Sequence, residues 1–177
     1  MREERRGSMP RTQLRMTAAA LLCALLAASC TGKAPKTEND TGTPEYVIGL
    51  GEIMGLNQMR HEKLWFAGKA GNWPLAAYEI DELREGFTDV ERYHPHHKDV
   101  PAPLAQMIRE YVGGPLDDLD KAVGDKDPGE FTAAFDELTN GCNGCHEAAH
   151  FGFNVIRRPT SPPYSNQSFE PAKAGGN

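Results

Sequence analysis

Five consecutive residues near the C-terminal end carry the most specific chemical pattern in this sequence: Cys142, Asn143, Gly144, Cys145 and His146. This C-x-x-C-H spacing is the attachment signature of c-type haem. Two thiols about one helical turn apart can add to the two vinyl groups of one porphyrin, and the histidine that follows can ligate the iron. The sequence therefore predicts one covalently bound haem c, attached at Cys142 and Cys145, with His146 as the proximal iron ligand.

Two other uses of a C-x-x-C pair fit this sequence less well. A thiol–disulfide redox pair needs a preceding strand in a βαβ context. The apolar residues before the motif recur instead at helical intervals: Phe131, Ala134, Phe135 and Leu138. A zinc site would need a second pair of ligands, and only His146 and His150 lie close by in the sequence. Haem attachment therefore remains the favoured interpretation.

The N-terminal segment reads as an export signal. Five arginines precede an apolar run over residues 18–28, which is too short to span a bilayer. Small residues then lead to Cys30, an order that resembles a bacterial lipobox in which this cysteine is lipidated. Ordinary cleavage beside Ser29 is the alternative. We therefore predict a signal peptide over residues 1–29 and a lipid anchor at Cys30.

The charge of the chain argues against a nucleic-acid partner. The 177 residues carry a formal net charge of −6. Removal of residues 1–29 takes away five arginines and two glutamates, which leaves a net charge of −9. Bacterial c-type haem is attached outside the cytoplasmic membrane, so the export signal and the haem motif agree. The predicted location is periplasmic, with the protein held at the membrane by its lipid.

Residues 30–45 lack apolar periodicity and read as a flexible tether, and residues 46–152 hold four amphipathic patterns. The first helix is expected over residues 46–70 and the second over 75–92. A third begins near Pro101 or Pro103 and is expected to kink or break at Gly113-Gly114-Pro115. The fourth begins at an Asp127 cap, with Glu130 completing a capping box, and frays near Gly152.

Three histidines lie together in a polar segment between the second and third helices: His94, His96 and His97. Their spacing matches neither a helix nor a strand, so a solvated loop is favoured over a metal site.

A four-helix pattern with the haem motif on the last helix resembles the class II c-type cytochromes, the cytochrome c-prime type. The resemblance covers residues 46–150. It implies an all-α, antiparallel four-helix bundle with the haem attached on the last helix and buried in the core. The chain departs from the family in a long irregular tail over residues 153–177. In that tail Arg157 or Arg158 is a candidate partner of the haem propionates, although a solvated charge is the plainer interpretation.

In class II cytochromes a methionine from the first helix closes the distal side of the haem in low-spin electron carriers. An open distal site instead gives a five-coordinate haem that binds NO or CO. Met54 lies on the main apolar stripe of the first helix and Met59 does not, so Met54 is the candidate distal ligand. His61 shares the Met54 face and remains an alternative, as does an open site.

The predicted function is electron transfer in the periplasm rather than enzyme catalysis, with binding of NO or CO as the alternative. The expected partners are redox proteins of a respiratory chain. A second copy of the chain is a further candidate partner.

Overall fold

The computed structural model describes residues 46–162 and 164–173. The predicted signal peptide, Cys30 and the predicted tether lie outside these described residues. The regular secondary structure of these residues is entirely helical, with no strand. Five α-helical segments follow in order: α1 (Leu50–Lys69), α2 (Trp73–Tyr93), α3 (Leu104–Ile108), α4 (Gly114–Asp125) and α5 (Pro128–Ala148). A π-helical turn, Arg109–Gly113, joins α3 to α4 without an intervening loop, so we count these two together and the described residues form four helices. None of the described helices is long and apolar enough to cross a membrane.

Helix α1 begins later than the sequence predicted. Tyr46 is 82% exposed and Val47 48% exposed, and Gly49 has an extended backbone. The predicted start at residue 46 is therefore wrong, and Val47 does not belong to the buried stripe. Residues farther along that stripe, His61, Leu64 and Trp65, are buried as expected.

Helix α2 follows its predicted pattern closely. The Asn72 side-chain oxygen accepts a hydrogen bond from the Leu75 N–H at 3.3 Å, and Pro74 occupies the first turn, where its missing N–H costs nothing. All five residues of the predicted apolar face are buried: Ala76, Ile80, Leu83, Phe87 and Val90. The helix extends two residues earlier and one residue later than expected.

The kink or break predicted at Gly113-Gly114-Pro115 takes the form of a π-helical turn over Arg109–Gly113, which leads directly into α4 at Gly114. Proline lacks an N–H and its ring clashes with the carbonyl four residues earlier, which here belongs to Tyr111. A π turn widens the backbone at this point. The Tyr111 carbonyl instead faces α5, where it lies against Gly141. The π turn therefore accommodates Pro115, and the helix continues into α4.

Only one of the two parts of the predicted capping box forms at the start of α5. The Asp127 carboxylate accepts hydrogen bonds from the backbone N–H groups of Gly129 at 2.8 Å and Glu130 at 2.9 Å. The reciprocal half of a capping box does not form. The Asp127 N–H donates to the Ala122 carbonyl at 3.0 Å, and the Glu130 carboxylate accepts from Lys121 at 3.2 Å. The helix ends at Ala148, earlier than the predicted Gly152.

An aromatic cluster fills the core between α1, α2 and α5. The ring centroids of Trp65 and Phe135 lie 4.9 Å apart, and those of Trp73 and Phe131 lie 6.0 Å apart. Gly68 packs directly on the Phe131 ring, where a Cβ would collide. Such pairs add about 0.5–1.5 kcal/mol each beyond the area they bury. The cluster fixes α1 against α5.

After α5, the described residues 149–162 and 164–173 form no further helix, and two of them contact the helices. Phe169 is buried, with its ring 5.6 Å from that of Phe66. The Asn72 amide donates to the Glu170 carbonyl at 3.1 Å.

We predict that Gly141→Ala destabilises the protein, although alanine favours helices. Its Cβ would collide with the Tyr111 carbonyl, and overpacking of this kind costs about 1–3 kcal/mol. Gly124→Ala is the matched control: it meets nothing within 4 Å in α4 and should stabilise by up to about 1 kcal/mol. Urea unfolding of both variants makes the comparison. Equal stabilisation by the two changes would show that α5 does not need the close approach.

Candidate functional site

A cavity of about 560 Å³ is lined by residues from α1, α2, α3, the π turn and α5. Its size lies within the range of small-molecule and cofactor sites. Apolar side chains form much of the wall, among them Leu83, Phe87, Leu104, Ile108 and Leu138. Leu50 and Met54 also line it, which explains why these predicted stripe residues of α1 are only half-buried.

All three predicted haem-binding residues line this cavity: Cys142, Cys145 and His146. Both thiols are free rather than joined in a disulfide. Burial raises the pKa of the Cys142 thiol to about 12, and burial also raises the pKa of Cys145. A dithiol redox catalyst needs a lowered thiol pKa and an electropositive setting. The pair is therefore poorly suited to thiol–disulfide exchange.

The His146 imidazole is held in one orientation. Its Nδ1 lies 2.7 Å from the backbone carbonyl oxygen of Asn154. A carbonyl can only accept, so Nδ1 carries the proton and donates it in this bond. In the neutral ring the lone pair then lies on Nε2. Metal-ligating histidines commonly have this arrangement, because the outer hydrogen bond fixes the ring and raises its basicity.

The carbonyl that holds His146 belongs to residues 151–158, here called the strap. Asn143, inside the haem motif, clamps the strap through Ile156. Its amide nitrogen donates to the Ile156 carbonyl and its amide oxygen accepts from the Ile156 N–H, both at 2.8 Å. The strap also contributes Phe151, Asn154 and Ile156 to the cavity wall. The variable residue after Cys142 therefore positions the segment that orients His146.

Arg158 fastens the far end of the strap. Its guanidinium pairs with the Asp136 carboxylate and lies 4.5 Å from the centroid of the Trp65 ring. The Asp136 carboxylate therefore already pairs with the Arg158 charge, so this arginine does not need a haem propionate as a partner. Arg157 is exposed and lines a second, more polar cavity of about 410 Å³. His61 lies between the two cavities and lines both.

Gly144, the second variable residue of the motif, allows α5 to approach the π turn. A Cβ at this position would lie 2.9 Å from the Tyr111 ring. Together with Gly141 it gives α5 a face without side chains against Tyr111.

The candidate distal residues differ in their surroundings. Met54 lines the cavity, whereas Met59 is not among the lining residues. His61 lies 2.9 Å from the Thr139 hydroxyl through Nε2, and that hydroxyl donates to the Phe135 carbonyl at 2.9 Å. His61 Nε2 must therefore be the donor to Thr139. An imidazole bonded in this way is a structural group, so Met54 is the better candidate of the three.

Sequence reasoning missed several residues at this site. His97, from the segment predicted as a solvated loop, lines the cavity, as do Val100 just after that segment and three residues of the strap. His97 lies 6.2 Å from the Phe151 ring, and the neighbouring His94 Nε2 donates to the Ile48 carbonyl at 2.8 Å. Loop residues without periodicity offer no signal of this placement. In the described part of the chain, no group of three or more His, Cys, Asp or Glu side chains could hold a metal ion.

The residues present fit a covalently bound haem. Two free thiols and an imidazole with an available Nε2 face one apolar space. A haem requires one or two protein ligands for its iron rather than a cluster of four, so this donor set is sufficient.

The buried histidine predicts a pH dependence of stability. Burial lowers the pKa of His61 from 6.5 to about 4. A base whose pKa is lower in the folded state stabilises the fold above its unfolded pKa, and this contribution is lost as the pH falls from about 6.5 toward 4. The loss is on the order of 3 kcal/mol. We expect His61→Gln to flatten the fall in unfolding free energy across this window.

Urea unfolding at several pH values measures this effect, with the exposed His96→Gln as the matched control. An unchanged pH profile in His61→Gln would contradict the assignment of His61 as a buried neutral base.

Comparison with protein-family models, with characterised proteins and with solved structures found no significant match. The resemblance to class II cytochromes therefore stays a prediction, and the function has to be argued from the site itself.

Proposed function

We propose that this protein is a c-type cytochrome that carries electrons in the periplasm. One haem is attached at Cys142 and Cys145 and ligated by His146. The observation that carries the proposal is the His146 Nδ1 hydrogen bond to the Asn154 carbonyl, at the edge of an apolar cavity that both thiols line. This arrangement presents Nε2 as a ligand at a cavity that is lined mostly by apolar side chains.

The contacts between α1 and α5 support an antiparallel bundle. The contacting pairs are His61 with Thr139, Trp65 with Phe135, and Gly68 with Phe131. Residue numbers rise along α1 while they fall along α5. Short connections between α1 and α2 and between α4 and α5 favour the same arrangement for these neighbours.

The same register supports Met54 as the distal ligand. Met54 precedes His61 by seven residues, and His146 follows Thr139 by seven. Seven residues make about two helical turns. The pairing of His61 with Thr139 thus extends to bring Met54 level with His146 across the cavity that both line.

The haem would supply a one-electron iron couple, and the chain tunes it. The strap holds the proton of His146 on Nδ1 and so strengthens electron donation through Nε2. The thioether of Met54 is a soft, weakly donating ligand that favours the reduced state. The apolar walls keep the local dielectric low. These features suit a carrier rather than an enzyme.

The sequence features beyond the described residues complete the proposal. A lipid on Cys30 would hold the carrier near membrane complexes, and residues 30–45 would let it reach them. Its acidic surface would suit basic docking sites on redox proteins of a respiratory chain. A second copy of the chain remains a candidate partner.

Binding of NO or CO is the second candidate function. One observation favours it: His61 is bonded to Thr139 and Met59 does not line the cavity, so the distal side stays open unless Met54 ligates the iron.

We predict that the oxidised wild-type protein is low-spin and shows the weak near-infrared band of iron–methionine bonding. Met54→Ala should convert it to a high-spin form and let CO bind readily after reduction. Met59→Ala is the matched control, because Met59 is outside the cavity lining and should leave the spectrum unchanged. Optical spectra of both redox states make the test. A wild-type protein that is already high-spin would rule out Met54 ligation and favour the second function.

We predict that Asn143→Ala raises the reduction potential while the haem stays covalently attached. The change frees Ile156 and loosens the Asn154 carbonyl from His146, so the imidazole donates less electron density and the oxidised iron is less stabilised. Asn140→Ala, exposed on the same helix, is the control for a simple loss of an asparagine. Equal reduction potentials for the two variants in a redox titration would show that the strap does not tune the haem.

A further inference from the structure

The charged edge of a haem needs a polar setting that the walls of the first cavity do not provide. A haem carries two propionate groups, which are carboxylates at neutral pH. Burial of a carboxylate among apolar side chains without a partner is strongly unfavourable. The cavity that both cysteines and His146 line has mostly apolar side chains in its wall. A haem attached there therefore needs a polar place for its propionates.

The second cavity adjoins the first and has a more polar lining. Its volume is about 410 Å³, and three residues line both cavities: Gln58, His61 and Ile156. Most of the residues that line the second cavity alone carry polar groups: Glu62, Arg157, Thr160 and Ser161. A propionate chain that leaves the first cavity at the shared residues would therefore enter a polar space.

Arg157 supplies the positive charge in the second cavity. Among the described residues that line it, Arg157 is the only lysine or arginine. This residue is exposed, and it takes part in none of the ion pairs formed by the described residues. A guanidinium stays charged and can bind a carboxylate through two parallel hydrogen bonds. Arg157 is therefore an accessible cation that lacks an anionic partner.

The strap fixes the chain on both sides of Arg157. Before it, Ile156 exchanges two hydrogen bonds of 2.8 Å with the Asn143 amide. After it, Arg158 donates to the Asp136 carboxylate at 3.0 Å. These contacts limit the movement of the backbone at residue 157, so less conformational entropy is lost when the side chain binds a ligand. The haem motif itself thus helps to position this cation.

We propose that one haem propionate lies in the second cavity, where the Arg157 guanidinium binds its carboxylate. The inference rests on the proposed haem site. Glu62 lines the same cavity, and its carboxylate repels a second negative charge there. Arg157 offsets this repulsion. Substitutions of these two residues should therefore have opposite effects on the haem.

Resonance Raman spectra of the haem-bound protein report on the carboxylate directly, because a hydrogen-bonded propionate bends at a higher frequency. We expect Arg157→Gln to lower this frequency. It should also lower the reduction potential, since a cation beside the haem favours the reduced iron. Glu62→Gln should raise the potential. Arg109→Gln, exposed and outside both cavities, is the matched control and should change neither quantity.

Arg157→Lys separates the charge of the side chain from its hydrogen-bonding geometry. Lysine keeps the charge but loses the paired hydrogen bonds of the guanidinium. We expect this variant to lower the bending frequency while the potential stays close to that of the wild type.

Acetate distinguishes the propionate from a free anion. At constant ionic strength the wild-type potential should not respond to added acetate, because the carboxylate of the haem already occupies the site. A response in the wild type that is lost in Arg157→Gln would assign the cavity to a free carboxylate and would overturn the inference.

An unchanged bending frequency in Arg157→Gln, with the haem still attached, would also overturn the inference while leaving the proposed function intact. Lys98 lines the first cavity. A lowered frequency confined to Lys98→Gln would place the carboxylates near that residue instead, with the same consequence. Absence of covalent haem in the wild type would defeat the proposed function and this inference together.

Discussion

The close approach of α5 to the π turn is the contact on which the site depends. Gly141 and Gly144 give α5 a bare face, and the backbone and ring of Tyr111 fill it. Pro115 cannot bond the Tyr111 carbonyl in the normal helical way, so the turn widens and this carbonyl points at α5. On the adjoining side of the same helical turns, Cys142, Cys145 and His146 line the cavity. The widened turn in one helix thus sets how closely α5, which carries the C-x-x-C-H motif, approaches it.

Three of the five motif residues carry reactive or ligating groups, and the other two position them. The cysteines and His146 face the cavity, Gly144 permits the close contact, and Asn143 clamps the strap. The strap in turn holds His146 through a backbone carbonyl, which cannot be replaced by a change of side chain. The motif therefore contains its own supporting hydrogen bonds. Local spacing places the three candidate haem-binding residues, and a contact between residues thirteen positions apart holds the strap that orients His146.

Much of the helical pattern could be predicted from the sequence, because apolar periodicity fixed the face of α2 and placed the cysteines on the cavity side of α5. The π turn could not be predicted from the sequence, because it depends on the space that α5 leaves for the Tyr111 carbonyl. The strap was missed for the same reason: its residues have no periodicity, and their hydrogen bonds are to distant groups. The start of α1 was misjudged because Val47 continues the apolar stripe in sequence but is exposed in space. The partner of His61, Thr139, became visible only when the helices were packed together.

Covalent attachment of haem at Cys142 and Cys145 is the central claim, and mass spectrometry of the proteolysed, unfolded protein tests it most directly. The protein should be made in a bacterium that attaches c-type haem, then denatured and extracted to remove every non-covalent ligand. We predict that the peptide containing residues 142–146 carries the mass of one haem and that neither cysteine reacts with a thiol-alkylating reagent. The unmodified peptide with both thiols free to react, obtained from folded protein, would contradict it.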